Sequence, residues 1–225
     1  MNLNRKYLVF GFVRTGTHRI KELINKNFNK NYKFSEKVFH SQKSIVWYFK
    51  GKYYIFNSRK KNNLKFSSIK NLKKEKILSF HNFEKRIINN FKDYNLIITI
   101  RDPLLSIASL ISYNTKKNVV NFNPKFKIFS AMELATNKII IKNYMKQYNN
   151  FYSKVLKSNL NKFTVIDFSN SIKLISKKLK LKPYKINRPK FHSSNKHPKL
   201  IVFLRKNYDF KKSYNIYNSI KNKIK

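Results

Sequence analysis

The sequence predicts an α/β protein, a three-layer sandwich with a mainly parallel central sheet. Short apolar runs of strand length alternate with stretches in which apolar residues recur at helical spacing. Two of the runs, Leu96–Ile100 and Phe163–Asp167, are apolar almost throughout, which is typical of parallel strands that are covered on both faces. At 225 residues the chain is long enough for a substantial core, and we expect a single domain over residues 1–225.

The first predicted elements are a strand, a glycine turn and a helix. The apolar run Tyr7–Phe10 is followed by Gly11 and Gly16, which are two of only three glycines in the chain. A chain so poor in glycine is expected to keep it where the backbone turns tightly or a ligand comes close. A helix is predicted next from apolar residues at helical spacing, namely Ile20, Leu23, Ile24 and Phe28. Because such a turn directs N–H groups and a helix N-terminus at one point, it predicts a P-loop-like, phosphate-binding turn.

The remaining elements follow along the chain in alternation. Asp102 is predicted to cap a helix that has Pro103 at its first position and runs to about Tyr113. The other predicted strands are a hairpin within Ser44–Asn57 that turns at Lys50-Gly51-Lys52, Lys76–Phe80, and the two buried runs. The other predicted helices are an amphipathic stretch over 83–91, a long helix over 129–156, a helix over 172–179 and a C-terminal helical segment. The predicted loops are Ser58–Glu75, with short helices as an alternative, and Lys182–Pro198.

The composition limits the class of protein. The chain has no cysteine, so disulfides, thiolate metal sites and a cysteine nucleophile are excluded. Its N-terminus lacks the apolar block of a signal peptide, and no apolar stretch approaches the roughly 20 residues that cross a bilayer. We therefore expect a cytoplasmic protein without a transmembrane segment.

The formal net charge of +42, from 51 Lys and Arg against 9 Asp and Glu, invites a nucleic-acid-binding interpretation. The excess is mostly lysine, however, and it accompanies abundant Asn, Ile, Phe and Tyr, whose codons are rich in A and T. A biased base composition explains such a pattern better than a dedicated binding face, so we expect no specific nucleic-acid partner. A basic nucleic-acid-binding protein stays as an alternative, and the charge should in either case steer anionic ligands to the protein.

Three unusual features follow predicted strands: the glycine turn, His81 and Arg101. In open α/β sheets ligands bind beyond the carboxyl ends of the strands. The sequence therefore predicts that the three features line one cleft.

The turn has the G-x-x-x-x-G outline of a Walker loop, from Gly11 to Gly16. A nucleoside triphosphatase would continue with Lys and then Ser or Thr, whereas this chain has Thr17 and His18. Its cation lies before the second glycine, at Arg14. This difference disfavours a P-loop kinase-like protein, which stays a further alternative.

The arrangement resembles the sulfotransferase family. The segment Arg14–Thr17 (RTGT) matches the family's 5′-phosphosulfate loop, which has a basic residue, then Ser, Thr or Gly, then Gly-Thr. The strand running into Arg101-Asp102-Pro103, with Ser109 eight positions after the arginine, matches its 3′-phosphate motif. His81 ends a strand 20 residues before Arg101, where many members place their catalytic base. Val165–Phe168 resembles the family's strand and acidic residue before a helix, so the resemblance covers about Lys6 to Leu181.

The resemblance implies transfer of a sulfuryl group from 3′-phosphoadenosine 5′-phosphosulfate (PAPS) to a hydroxyl or amine of a small molecule or glycan, without a metal. It implies a catalytic role for His81 and Arg14, with Glu36 as the alternative base and His40 as a weaker one. The donor-binding residues that it implies are Arg14, Thr15, Gly16, Thr17, His18, Arg101 and Ser109, with Ser106 as an assistant.

The chain departs from the family pattern near its C-terminus. The glycine-containing basic loop that closes over the nucleotide in cytosolic members is absent. Arg188, Lys190 or Lys196 are candidates to replace it. The acceptor and the oligomeric state are not predicted by the sequence.

Overall fold

In the computed structural model, the chain is described in five stretches of sequence. These are residues 5–29, 45–56, 64–114, 130–184 and 198–223. The chain divides into two compact units. The first unit comprises Met1–Ile100 with Lys157–Asn187, and the second comprises Arg101–Leu156 with Arg188–Lys225.

The first unit contains a sheet of seven strands in the described part of the chain. The strands are β1 Tyr7–Gly11, β2 Ile45–Phe49, β3 Lys52–Phe56, β4 Leu64–Ser67, β5 Ile77–Phe80, β6 Asn95–Ile100 and β7 Phe163–Asp167. Their order across the sheet is β4-β3-β2-β5-β1-β6-β7. The pairs β2·β5, β5·β1, β1·β6 and β6·β7 are parallel, whereas β2·β3 and β3·β4 are antiparallel. The predicted α/β fold with a mainly parallel sheet is confirmed.

The helices fall into both units. They are α1 Thr17–Phe28, α2 Ile69–Leu72, α3 Lys85–Asn90, α4 Pro103–Asn114, α5 Ala131–Thr136, α6 Lys138–Leu156, α7 Ile172–Leu179, α8 Pro198–Asn207 and α9 Lys211–Asn222, with a 3-10 turn at Leu160–Lys162. Helices α4, α5, α6, α8 and α9 belong to the second unit, whose described residues are helical apart from short connections.

Apolar side chains cover both faces of the sheet within the first unit. On one face, α1 and α7 pack against the strands through a cluster of Tyr7, Val9, Ile20, Leu23, Ile24, Ile77, Ile97, Ile166, Ile175 and Leu179. On the other face the contacts are mostly aromatic. Phe10 lies 5.8 Å from Phe80 and 5.1 Å from Phe83, measured between ring centroids. This double burial accounts for the near-continuous apolar runs of the central strands.

Most predicted elements are confirmed, and the hairpin turns at Lys50-Gly51 as expected. The continuous helix over 129–156 is wrong, because α5 and α6 are separated at Asn137. The side-chain Oδ1 of Asn137 accepts the N–H of Ile140 at 3.1 Å, so this residue starts a new helix instead of continuing the first. The loop predicted over Ser58–Glu75 contains β4, which gains its hydrogen bonds from β3.

Candidate active site

The turn between β1 and α1 is closed from within by Thr15. Its backbone N–H and its hydroxyl both donate to the carbonyl of Phe12, at 3.1 and 2.6 Å. The same hydroxyl lies 3.0 Å from the hydroxyl of Thr99 on β6, and Thr15 is fully buried. Thr15 therefore fixes the shape of the turn and its position on the sheet.

The two glycines of the turn stand where no side chain fits. Gly16 has φ +94°, in the left-handed region, and a Cβ there would collide with the ring of Phe168. A Cβ on Gly11 would collide with the side-chain hydroxyl of Thr99. At both positions a side chain of a neighbouring element lies directly against the backbone, which only glycine allows.

Replacing Gly16 with alanine is expected to destabilise the protein more than replacing Gly51. Both residues have positive φ, so both substitutions strain the backbone by about 1–2 kcal/mol. A Cβ on Gly51 meets nothing within 4 Å, whereas one on Gly16 must also displace Phe168, which adds about 1–3 kcal/mol. Urea unfolding of the two variants measures the difference, and equal losses would contradict the packing assigned to Gly16.

The N-terminus of α1 carries the positive end of the helix dipole. The carbonyl of Gly16 accepts the N–H groups of Arg19 and Ile20, which begins the helix at the turn. The first helical turn contains no acidic residue and Gly16 supplies no side-chain cap, so the positive end of the helix dipole is not offset locally. Arg14 adds a cation just before this point and has φ +71°, a backbone strain that often accompanies functional sites.

His81 follows β5 and is held against the same turn. Its Nδ1 lies 2.8 Å from the carbonyl oxygen of Gly11. Because a carbonyl can only accept, Nδ1 carries the proton and Nε2 of the neutral ring is the acceptor. Burial lowers the pKa of His81 to about 4; the Gly11 hydrogen bond opposes this shift, while the cations of Lys21 and Arg14 add to it. The imidazole is therefore neutral at physiological pH, as a general base must be.

Lys21 is a buried cation near His81 that the sequence analysis missed. It lies on α1, its side chain is 1% exposed, and its Nζ is 3.4 Å from the hydroxyl of Ser79 on β5. Burial lowers the pKa of Lys21 to about 7, although the charge of Glu75 opposes the shift. A sequence signal existed, because Lys21 shares the helical spacing of Thr17, Ile24 and Phe28 and so lies on the buried side of the helix.

Phe168 packs against the turn, a role that the sequence analysis missed. It follows β7, and its backbone N–H donates to the carbonyl of Ile100 at 2.8 Å. Arg19 Nη1 donates to the Phe168 carbonyl at 2.9 Å, and its guanidinium lies 5.4 Å from the ring centroid. Phe168, at the end of β7, thus supports the turn through a hydrogen bond with Arg19, which is 149 positions away in the sequence.

In the second unit, Arg101 and Asp102 form the entry to α4. Arg101 directly follows β6 in the chain and is only 5% exposed. Asp102 Oδ1 accepts the N–H of Leu105 at 2.9 Å, which confirms the predicted helix cap. Ser106 and Ser109 lie three positions apart on the helix and are both buried, so they share a face. Within the described part of the chain, the Ser106 hydroxyl has no hydrogen-bond partner.

Two tyrosines of the second unit hold this entry in place. The Tyr148 hydroxyl on α6 donates to the Arg101 carbonyl at 2.8 Å. The Tyr214 hydroxyl on α9 donates to Asp102 Oδ2 at 3.1 Å. Burial and the charge of Asp102 raise the pKa of Tyr214 to about 12, so its hydroxyl keeps the proton that it donates. The Arg101 backbone and the Asp102 carboxylate are thereby held by helices that lie far from them in sequence.

The candidates thus fall into two groups, each described within its own unit. The first unit brings the turn 11–18, with Arg14 and His18, together with His81; the second holds Arg101 beside Ser106 and Ser109. Other predicted candidates lie outside the described residues, namely Glu36, His40, Arg188, Lys190 and Lys196. Among the described residues, no group of three or more His, Asp or Glu side chains is placed to hold a metal ion.

The fold and the turn define an α/β protein with a glycine-containing strand–turn–helix at the carboxyl end of the central strand β1. The chain matches the model of the sulfotransferase domain over residues 4–181. Because this match spans most of the chain, the protein belongs to the sulfotransferase family, and its general activity is that of a sulfotransferase. Among curated protein sequences, none matches the chain significantly. Within the described ranges, no helix is both long and apolar enough to cross a membrane.

Proposed function

We propose that the protein transfers a sulfuryl group from PAPS to a hydroxyl or amine of a small-molecule or glycan acceptor, with His81 as the general base. The observation that carries the proposal is the 2.8 Å hydrogen bond between His81 Nδ1 and the Gly11 carbonyl. It ties a neutral imidazole to the turn that begins the anion site. A base and an anion-binding turn held at neighbouring strand ends are what an in-line transfer between an anionic donor and a hydroxyl requires.

The 5′-phosphosulfate of the donor is assigned to the turn of the first unit. Its ligands are the backbone N–H groups of Gly16, Thr17 and His18 and the guanidinium of Arg14, while Thr15 shapes the turn. Support comes from the helix start at Gly16, which lacks a side-chain cap and an acid in its first turn. An N-terminus of this kind stabilises a phosphate or sulfate through both its N–H groups and its dipole.

The 3′-phosphate is assigned to Arg101 and Ser109 of the second unit, with the Ser106 hydroxyl as an assistant. The burial of all three side chains supports this role, because a charge-assisted hydrogen bond to phosphate is strongest away from water. The two tyrosine hydrogen bonds to Arg101 and Asp102 pre-organise the group before the nucleotide binds.

In the reaction, the acceptor oxygen or nitrogen bonds to sulfur while the bond between sulfur and the bridging phosphate oxygen breaks. His81 Nε2 accepts the proton that the acceptor loses, and adenosine 3′,5′-bisphosphate leaves. Arg14 and the N-terminus of α1 stabilise the negative charge that develops on the bridging oxygen, which is where fixed donors lower the barrier most. The proposal assigns no metal to the reaction, because these cationic groups offset the charge of the donor.

Binding of adenosine 3′,5′-bisphosphate is expected to stabilise the protein. At a hundredfold excess over Kd, a ligand of the native state adds about 2.7 kcal/mol. For a chain of this size, that gain corresponds to a rise in Tm of about 5–10 °C. Adenosine 5′-phosphate, which lacks the 3′-phosphate, is the matched control and should give a smaller shift in differential scanning fluorimetry. No shift with millimolar bisphosphate would contradict the proposed donor.

A further inference from the structure

The side-chain amide of Asn82 takes the place of a backbone peptide group at the end of β5. Strand β5 pairs with β2 in parallel as far as Val46 and Phe80, while β2 continues beyond that pair. The main chain of the other strand bends at His81 and Asn82. Asn82 Nδ2 donates to the Tyr48 carbonyl at 2.7 Å, and the Tyr48 N–H donates to Asn82 Oδ1 at 3.4 Å. The amide thus continues the hydrogen bonding along β2 after the backbone of β5 has ended.

The register of the two strands accounts for this replacement. Counting two positions beyond the last paired residues places Asn82 opposite Tyr48. In a parallel ladder, the backbone on either side of that position would bond both the N–H and the C=O of Tyr48. Only one orientation of the amide lets its oxygen accept the N–H and its nitrogen donate to the carbonyl. The side chain of Asn82 therefore supplies both bonds that a further stretch of strand would have made.

His81 is thereby held between two anchors, one on each side of β5. The sheet order places β2 on one side of β5 and β1 on the other. Asn82, the next residue in the chain, is bonded to Tyr48 of β2. His81 Nδ1 lies 2.8 Å from the Gly11 carbonyl of β1. The contact with Gly11 fixes one edge of the imidazole, whereas the Asn82 bonds fix the main chain that carries it. With both in place, the direction of Nε2 is set before an acceptor binds.

We propose that Asn82 is a positioning residue for the general base: by tying the chain after β5 to β2, it keeps the His81 ring on the Gly11 carbonyl and leaves Nε2 as the proton acceptor. This inference rests on the proposed role of His81 in sulfuryl transfer. Without the two amide bonds, the bend loses its tie to β2 and the ring can leave Gly11. A ring that takes its proton on Nε2 can no longer accept one there. Asn82 acts through His81 and does not itself contact the donor or the acceptor.

The test compares the wild-type protein with Asn82→Ala and Asn82→Ser at neutral pH. The lost hydrogen bonds are only part-buried, so water can replace them and the variants should fold. Long-range proton–nitrogen correlations by NMR show which nitrogen of the His81 ring carries the proton. The His81 signals are assigned as those that disappear in His81→Gln. The kcat of sulfuryl transfer and the Kd of adenosine 3′,5′-bisphosphate are measured on the same proteins.

Asn90→Ala is the matched control. The Asn90 Nδ2 donates to the Tyr53 hydroxyl at 2.7 Å, and this bond too is part-buried. The control therefore removes an amide bond to β3, which pairs with β2, and leaves the bend after β5 tied to Tyr48.

In the wild-type protein and in Asn90→Ala, the neutral His81 ring should carry its proton on Nδ1. Both Asn82 variants should show an additional form protonated on Nε2, and their kcat should fall by about 10-fold to 100-fold with the Kd of the bisphosphate unchanged. A ring protonated as in the wild-type protein in both folded Asn82 variants would overturn the inference. If the Nε2-protonated form appears while kcat stays unchanged, Asn82 positions His81 and His81 is not the base, so the two failures are distinguished.

Discussion

Replacing His81 with alanine is expected to lower the rate of sulfuryl transfer by about 10²–10⁴-fold, the usual contribution of a positioned general base. Binding of adenosine 3′,5′-bisphosphate should change little, because the donor phosphates are assigned to the turn and to Arg101. The comparison of kcat with the Kd of the bisphosphate, measured by isothermal titration calorimetry, separates the two effects. A loss confined to kcat indicates that the removed group acts in the transition state.

The pH dependence of kcat/KM tests the role of His81 independently. His81 must be neutral to act, and its pKa is lowered to about 4. The value of kcat/KM in the wild-type protein should therefore not fall between about pH 7 and pH 5, and should fall only as the pH drops through about 4. His192→Ala is the matched control, since that histidine belongs to none of the motifs. Turnover retained in His81→Ala would move the role of base to Glu36.

Replacing Arg101 with alanine is expected to weaken binding of adenosine 3′,5′-bisphosphate by about 30-fold or more. The side chain is 5% exposed, and removing one partner from a buried, charge-assisted pair costs about 2–5 kcal/mol. The variant should bind adenosine 5′-phosphate as the wild-type protein does, because the lost contact is with the 3′-phosphate. Calorimetry measures the affinity for each nucleotide. The wild-type protein should bind the bisphosphate more tightly than adenosine 5′-phosphate, and this difference in affinity should nearly vanish in Arg101→Ala.

The control for this prediction is Arg86→Ala, which removes an exposed arginine of α3. This variant loses one positive charge, as Arg101→Ala does. With a net charge of +42, the general attraction of anions should hardly differ between the two variants. Full affinity for the bisphosphate in a folded Arg101→Ala protein would remove Arg101 from the site and leave the 3′-phosphate without its main ligand.

The local structure around the candidate residues could be predicted from the sequence, because it depends on residues close together in the chain. The start of α1 and the Asp102 cap are both set by backbone geometry within a few residues. The family match over residues 4–181 confirmed the resemblance that those motifs indicated.

The parts that could not be predicted depend on contacts between distant residues. The collision that keeps Gly16 a glycine involves Phe168, and the hydroxyl that holds Asp102 comes from Tyr214, 112 positions away. The burial of Lys21 also depends on a distant residue. The helical spacing places Lys21 on the buried side of α1, but it does not identify Ser79 as the residue that Lys21 contacts. The helix break at Asn137 was not predicted, because apolar spacing does not respond to a single capping residue. Strand β4 was not predicted, because apolar spacing does not reveal a partner strand.

We propose that one donor nucleotide binds both Arg14 with the N-terminus of α1 and Arg101 with Ser109. A crystal structure with adenosine 3′,5′-bisphosphate tests it most directly. We expect the 5′-phosphate on Arg14 and the N–H groups that begin α1, and the 3′-phosphate on Arg101 and Ser109. A nucleotide bound elsewhere, or one whose 3′-phosphate touches neither Arg101 nor Ser109, would contradict it.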